Sequence, residues 1–118
     1  PCASWDFLPT FAELAGVSTM HGDGVSLIAA LHSKAPAVRP PLYWETRSGN
    51  KLLQAARIGK WKAIRNDPGE RVALYNLEVD PSETLDLAAS EPETVRAMEE
   101  VLDGSHTPPP ALVEPGWP

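Results

Sequence analysis

The sequence predicts an α+β fold: a small antiparallel sheet packed with a C-terminal helix and preceded by short helices. Three features of the 118-residue chain carry that expectation. Across residues 41–77 the runs "PLYWET", "LLQAARI", "WKAIR" and "VALYNL" are rich in aromatic and aliphatic residues and are separated by turn formers, which is the texture of a strand meander. Further on, "SEPETVRAMEEVLDG" carries apolar residues at helical spacing, with start and stop signals at its ends. Before residue 41, two shorter segments show the same spacing.

Taken in chain order, "DFLPTFAELAG" predicts a short helix. Asp6 caps its start, Pro9 is tolerated in the first turn, and Gly16 takes the left-handed conformation that ends it. Phe7, Phe11, Leu14 and Ala15 fall at helical spacing and are expected to form its buried stripe. "MHGDGVSLIAALHS" predicts a glycine-bracketed turn and a second short helix, with Ser26 as N-cap and Leu27, Ile28 and Leu31 on its apolar side. "KAPAVRPP" is a proline-rich connection.

In the sheet, "ARIGKWKAI" places a glycine at the first central position of a two-residue loop, Gly59-Lys60, which suits a type II′ hairpin. That register sets Ile58 opposite Trp61 and Ala56 opposite Ala63 on an inward face. Arg57 then stands opposite Lys62, and Ala55 opposite Ile64, on the other face. "NDPGE" and "DPSE" are turn signals on either side of the last strand. In the final helix Ser90 and Glu93 predict a capping box and Pro92 fits the first turn. Val95, Met98 and Leu102 form its apolar stripe, and Gly104 ends it. "SHTPPPALVEPGWP" reads as an irregular tail held by Leu112 and Trp117.

Composition narrows the function classes. With Asp+Glu 16 against Lys+Arg 10 and a net charge of -6, the chain offers no long-range attraction for nucleic-acid phosphates or anionic membranes. Cys2 is the only cysteine, which excludes an intrachain disulfide and a cysteine-cluster metal site. No apolar run approaches the roughly 20 residues that a bilayer span requires. The 13 prolines, about twice an average usage of roughly 5%, predict many loops. "PCASWDFLPT" lacks an initiating methionine and the basic-then-apolar order of a signal peptide, which predicts a piece of a longer polypeptide.

Few residues assemble into a chemical motif. His21, His32 and His106 are far apart and do not form a zinc spacing. "HGDGVSL" lacks both the third glycine of a dinucleotide loop and the Lys-Ser/Thr of a phosphate-binding loop, and Asp23 lacks the alternating oxygen ligands of an EF-hand. Ser26 lacks the second glycine of a nucleophile elbow. "AARIGKWKAIR" gathers Arg57, Lys60, Lys62 and Arg65, yet alternation turns Trp61 inward, away from a nucleic-acid surface that would need exposed aromatics. Arg57 and Lys62, like charges on opposed positions, call for water, a neighbouring carboxylate or an anionic ligand.

The order of the pieces says more than any one of them. "DFLPTFAELAGV", "DGVSLIAALHS", "LYWE", "QAARIGKWKAIR", "ALYNLEVDPSE" and "HTPPP...GWP" resemble, in that sequence, the C-terminal part of the type I arylsulfatase family, within the alkaline-phosphatase-like superfamily. The resemblance implies that residues 1–40 are the C-terminal end of a large α/β catalytic domain. Residues 41–118 would be the small C-terminal antiparallel-sheet subdomain with its terminal helix and tail. It also implies a parent enzyme that hydrolyses sulfate esters of small molecules or carbohydrates, with a formylglycine nucleophile and a bound calcium ion. The missing N-terminal domain of the same polypeptide would be this chain's main partner, and family analogy suggests export to the periplasm or beyond.

The chain departs from the family at the chemistry. Cys2 is followed by "ASW" and not by the x-Pro-Ser/Ala-Arg of a formylglycine precursor, so no catalytic or metal residue carries over and the chain alone is expected to be inactive. The subdomain would complete the fold and the rim of the substrate cleft. The loop after "LYWE" offers the rim candidates Trp44, Glu45 and Arg47, because arginine suits an anionic ester, aromatic planes suit sugars and loops commonly carry sites. Two other readings stay open: a free-standing module that binds an anion or a partner chain, and a phosphonate or phosphodiester hydrolase of the same superfamily.

Overall fold

The computed structural model describes residues 1–17, 22–33 and 39–108. His21, most of the proline-rich connection and the tail anchors Leu112 and Trp117 lie outside the described residues. The chain divides into two compact units, the first ending at Leu42 and the second beginning at Tyr43.

In the first unit a 3-10 turn, Ser4–Asp6, runs into helix α1, Phe7–Leu14, and a second helix, α2, spans Ile28–Ser33. Gly16 follows α1 with φ 68°, as a left-handed stop requires. Asp6 does not cap α1. At φ -76° and ψ -19° it already has helical backbone, whereas a capping side chain reaches the free N–H groups from an extended residue. Its fully buried carboxylate instead ties three parts of the unit together. Oδ2 accepts from the Ala3 N–H at 2.7 Å and Oδ1 from the Val25 N–H at 3.0 Å, and the Arg39 guanidinium grips both oxygens at 2.6 and 3.1 Å. These bonds, Arg39's foremost, outweigh burial and hold the Asp6 carboxyl at about 2, against an ordinary 3.8.

Thr10 extends this hub. Its hydroxyl donates to the Asp6 carbonyl at 2.6 Å and accepts from the Leu27 N–H at 3.0 Å, joining α1 to the entry of α2. Ser26 Oγ accepts from the Ile28 N–H at 3.3 Å, a contact close to the expected cap. Gly24 is required by close approach, since a Cβ there would stand 2.1 Å from the Trp5 carbonyl oxygen. The expected buried stripe on α1 is not buried: Phe7, Phe11 and Leu14 are 51%, 62% and 66% exposed. Leu31 of α2 is exposed as well. Helical spacing put these residues on one face, but the face of α1 that is buried is the one carrying Thr10, toward Leu27. Phe7 and Phe11 stack on each other with ring centroids 6.1 Å apart.

The second unit is built on a meander of four strands in the spatial order β1 (Leu42–Ser48), β2 (Lys51–Ile58), β3 (Trp61–Arg65) and β4 (Ala73–Asn76). The β2–β3 register is the expected one: Ile58 pairs with Trp61, Arg57 with Lys62, Ala56 with Ala63 and Ala55 with Ile64. Gly59 has φ 55° while Lys60 stays out of the left-handed region, as a type II′ turn demands. The turns at Asp67 and Asp80 close through Glu70 N–H to Asp67 O at 3.0 Å and Glu83 N–H to Asp80 O at 3.2 Å.

Helix α3, Pro92–Gly104, lays Met98 and Leu102 against Ala56, Ala63, Val72 and Leu74. The small alanine pair lets the helix approach the sheet closely. Complete burial of Leu74, Met98 and Leu102 contributes about 1.5–3 kcal/mol for each side chain. The expected capping box does not form. Proline at the first helical position keeps the preceding residue out of the helix, so Glu91 is the N-cap and Ser90 lies one residue too early. Ser90 Oγ donates to the Leu87 carbonyl at 3.0 Å, and Glu93 pairs with Arg96 at 3.3 Å. Ile58 shares the inward face but sits at the hairpin tip, where it is 37% exposed.

Candidate functional site

The rim candidates Trp44, Glu45 and Arg47 lie within β1, not in a loop after it. Strand alternation therefore divides them. Tyr43, Glu45 and Arg47 share one face, and Trp44 points to the other. The Tyr43 side is the face that meets α3, because Tyr43 packs against the core cluster and bonds to Gln54 of β2. Glu45 and Arg47 are thus brought together, and Trp44 is separated from them.

Glu45 stands at the end of a polar network that sequence reasoning missed. Its Oε2 accepts from the Tyr43 hydroxyl at 2.5 Å and contacts His106 Nδ1 at 2.8 Å. The Tyr43 oxygen in turn accepts from Gln54 Nε2 at 2.8 Å. Gln54 Oε1 takes a forked pair from Arg65, Nε at 3.0 Å and Nη2 at 2.8 Å, and Gln54 Nε2 also donates to the Leu102 carbonyl at 3.2 Å. Arg65 Nη2 completes the set on Asp103 Oδ1 of α3 at 2.7 Å. Gln54 and Arg65 are 2% and 5% exposed. A cation at that depth needs this coverage, because an unpaired buried charge is strongly destabilising.

The electrostatics follow from these contacts. The His106 contact, then the Tyr43 hydroxyl, holds the Glu45 carboxyl below the usual carboxylate range, with the charge of Arg47 helping. Burial, then the neighbouring Glu45 carboxylate, pushes the Tyr43 phenol up. The site is therefore an ionised carboxylate supplied with a neutral phenol and an imidazole. Gln54 cannot relay a proton, so its function in the network is orientation.

The hairpin cations find partners within the protein. Lys62 pairs with Glu83 at 2.6 Å, the neighbouring carboxylate that its opposition to Arg57 called for. Arg57 Nε donates to the Gly59 carbonyl at 3.2 Å, and Lys60 Nζ lies 5.2 Å from the centroid of the Trp61 ring. Arg65 is buried as described. Beside the hairpin, Ile58, Trp61, Glu93, Thr94, Ala97 and Met98 line a largely apolar open cavity of about 300 Å³.

Neither group implied by the family fits these residues. Cys2 is exposed and precedes Ala3, Ser4 and Trp5, and among the described residues no three His, Cys, Asp or Glu side chains are grouped to hold a metal ion. No helix among the described residues is long and apolar enough to cross a membrane.

No protein-family model matches the chain. It is 33% identical over 94 residues to a choline-sulfatase of Rhizobium meliloti strain 1021, a match covering 75% of this chain and 18% of that protein. Among solved structures it resembles Ps i-CgsB with a TM-score of 0.77 and 27% identity over 89% of this chain and 24% of that one. A Bacteroides thetaiotaomicron structure assigned as a sulfatase matches with a TM-score of 0.71 and 25% identity, over 84% of this chain and 23% of that one. The chain thus spans between about a sixth and a quarter of the length of the relatives it matches.

Proposed function

We infer, from the kinship of this chain with the sulfatases in sequence and fold, that it is the C-terminal part of an enzyme that hydrolyses sulfate esters. In this reading the chain completes the fold and one side of the substrate cleft, and the nucleophile and calcium ion belong to residues outside it. The observation that carries the proposal is the agreement between the choline-sulfatase match and the solved sulfatase fold, both extending over most of this chain. The apolar face exposed on α1 supports it, since Phe7, Leu8, Phe11 and Leu14 form a surface that a larger domain would cover. Among the rim candidates, Glu45 and Arg47 are the pair favoured to meet the alcohol or sugar portion of the ester, and Trp44 would serve only a ligand on the opposite face.

The test is sulfate release by the complete polypeptide containing this chain. Choline sulfate is the first substrate to try, given the relative's name, followed by an aryl sulfate and a sulfated oligosaccharide. Hydrolysis of at least one is expected, with Glu45→Ala or Arg47→Ala raising KM several-fold at little cost to kcat, as loss of uniform binding does. Inactivity on all three, or a preference for a phosphonate or phosphodiester, overturns the sulfatase assignment. Unchanged kinetics in both variants would remove the rim role alone.

A further inference from the structure

We infer that His106 and Glu45 form a protonation-gated latch that holds the segment after α3 against strand β1. The inference rests on the geometry of these residues and is independent of the sulfate-ester reading. The two side chains lie 61 residues apart in sequence, and their contact at 2.8 Å joins the chain leaving α3 to the first strand of the meander. Both are partly exposed, so water and protons reach them.

The carboxylate half of the latch is prepared in advance. Tyr43 fixes one bond to Oε2, Gln54 fixes the Tyr43 hydroxyl, and Arg65 fixes Gln54. Glu45 therefore meets the imidazole without first losing rotamer freedom at that moment, the cost that weakens ordinary surface pairs. Besides His106, the charged side chain that acts on it is Arg47 on β1; Arg65 on β3 and Asp103 on α3 lie further along the network, beyond Gln54. Arg65 and Asp103 pair with each other, which leaves Arg47 as the net contribution and keeps Glu45 ionised. A neutral imidazole gives Glu45 an ordinary hydrogen bond. A protonated one gives a charge-assisted bond of roughly twice that strength.

The sign follows from the two partners. Glu45 has a lowered carboxyl value in the fold, so its share is present above the ordinary carboxylate range and is lost as pH falls through that lowered value. Histidine is the side chain whose charge changes between about pH 5 and 8, and its bond to a carboxylate drops from charge-assisted to ordinary strength once the ring is neutral. The latch is therefore tightest in mild acid and loosens above neutrality.

Amide exchange in the full chain tests it. The reporter is the Ser105 N–H, which donates to the Val101 carbonyl at 3.0 Å and so senses fraying of the last turn of α3. After correction for intrinsic rates, its protection is expected to be about two- to fivefold greater near pH 5.5 than near pH 8, the range for a partly exposed ion pair. In Glu45→Gln and His106→Gln that ratio should fall to one, with the Ala63 and Leu74 amides of the sheet as controls for intact folding. A wild-type ratio of one overturns the latch without need of any variant. A ratio that survives in His106→Gln overturns it equally.

Discussion

Replacing Asp6 by asparagine is expected to cost the first unit about 3 kcal/mol near neutral pH, and the structure sets both bounds on that figure. The lower bound comes from linkage. A carboxyl held at about 2 in the fold and at 3.8 when exposed contributes about 2 kcal/mol while ionised. The upper bound comes from what asparagine leaves behind. Removing one partner of a buried ion pair costs about 3–5 kcal/mol, and the Arg39 side chain, 9% exposed, would lose its counter-ion. Asparagine also turns an N–H₂ toward donors in either orientation, the Ala3 amide or the Val25 amide together with one arm of the Arg39 fork. Because the folded value lies below the unfolded one, Asp6's contribution is complete above about pH 4 and disappears as pH falls through about 2. Amide exchange at Val25 and Leu27, whose N–H groups bond to Asp6 and Thr10, reads the first unit directly. Wild type should lose about 2 kcal/mol more than Asp6→Asn between about pH 5 and pH 2. A variant within about 0.5 kcal/mol of wild type at neutral pH, or one with the wild-type acid slope, would refute the reasoning.

Two further outcomes test the first unit. Gly24→Ala should destabilise it by well over about 1 kcal/mol, because the added Cβ meets backbone at 2.1 Å and not a movable side chain; thermal melts of Gly24→Ala beside Gly22→Ala, where a Cβ meets nothing within 4 Å, would show the contrast or its absence. The isolated chain should bind a hydrophobic dye or self-associate through Phe7, Leu8, Phe11 and Leu14, and a monodisperse monomer that ignores the dye and unfolds cooperatively would speak against a covering domain.

What the sequence reveals here depends on the range of the interaction. The hairpin register was legible because a two-residue turn and a period-two pattern together leave one pairing, from Ile58–Trp61 through to Ala55–Ile64. The stripe of α3 was legible for the same kind of reason, at a period of 3.6. Its cap was not, because Ser90 and Pro92 make competing demands and the proline prevails. Asp6 reads as a cap from its neighbours alone, whereas two of its three carboxylate partners, Val25 and Arg39, lie 19 and 33 positions away. His106 looked isolated for the same reason. One signal near Glu45 was available: in "LYWETR" alternation already groups Tyr43, Glu45 and Arg47 and sets Trp44 apart.

The cations of the β2–β3 hairpin illustrate how one face can carry two tasks. Along its inward side run three cross-strand pairs: Ile58–Trp61 at the tip, Ala56–Ala63 in the middle and Gln54–Arg65 at the far end. Apolar contact with Met98 and Leu102 stabilises α3 on this face but specifies its position weakly, since a shift of one turn, about 5.4 Å, would bring another apolar residue over the alanines. The polar end removes that freedom. Such a shift would break the bonds from Arg65 to Asp103 and from Gln54 to the Leu102 carbonyl and leave a buried guanidinium short of partners, at a cost of about 3–5 kcal/mol. The same glutamine orients Tyr43, and Tyr43 orients Glu45. Arg65 therefore sets both the seating of the helix and the direction of the rim carboxylate. That is why the cation that looked like one of four in a surface patch is the one taken out of water.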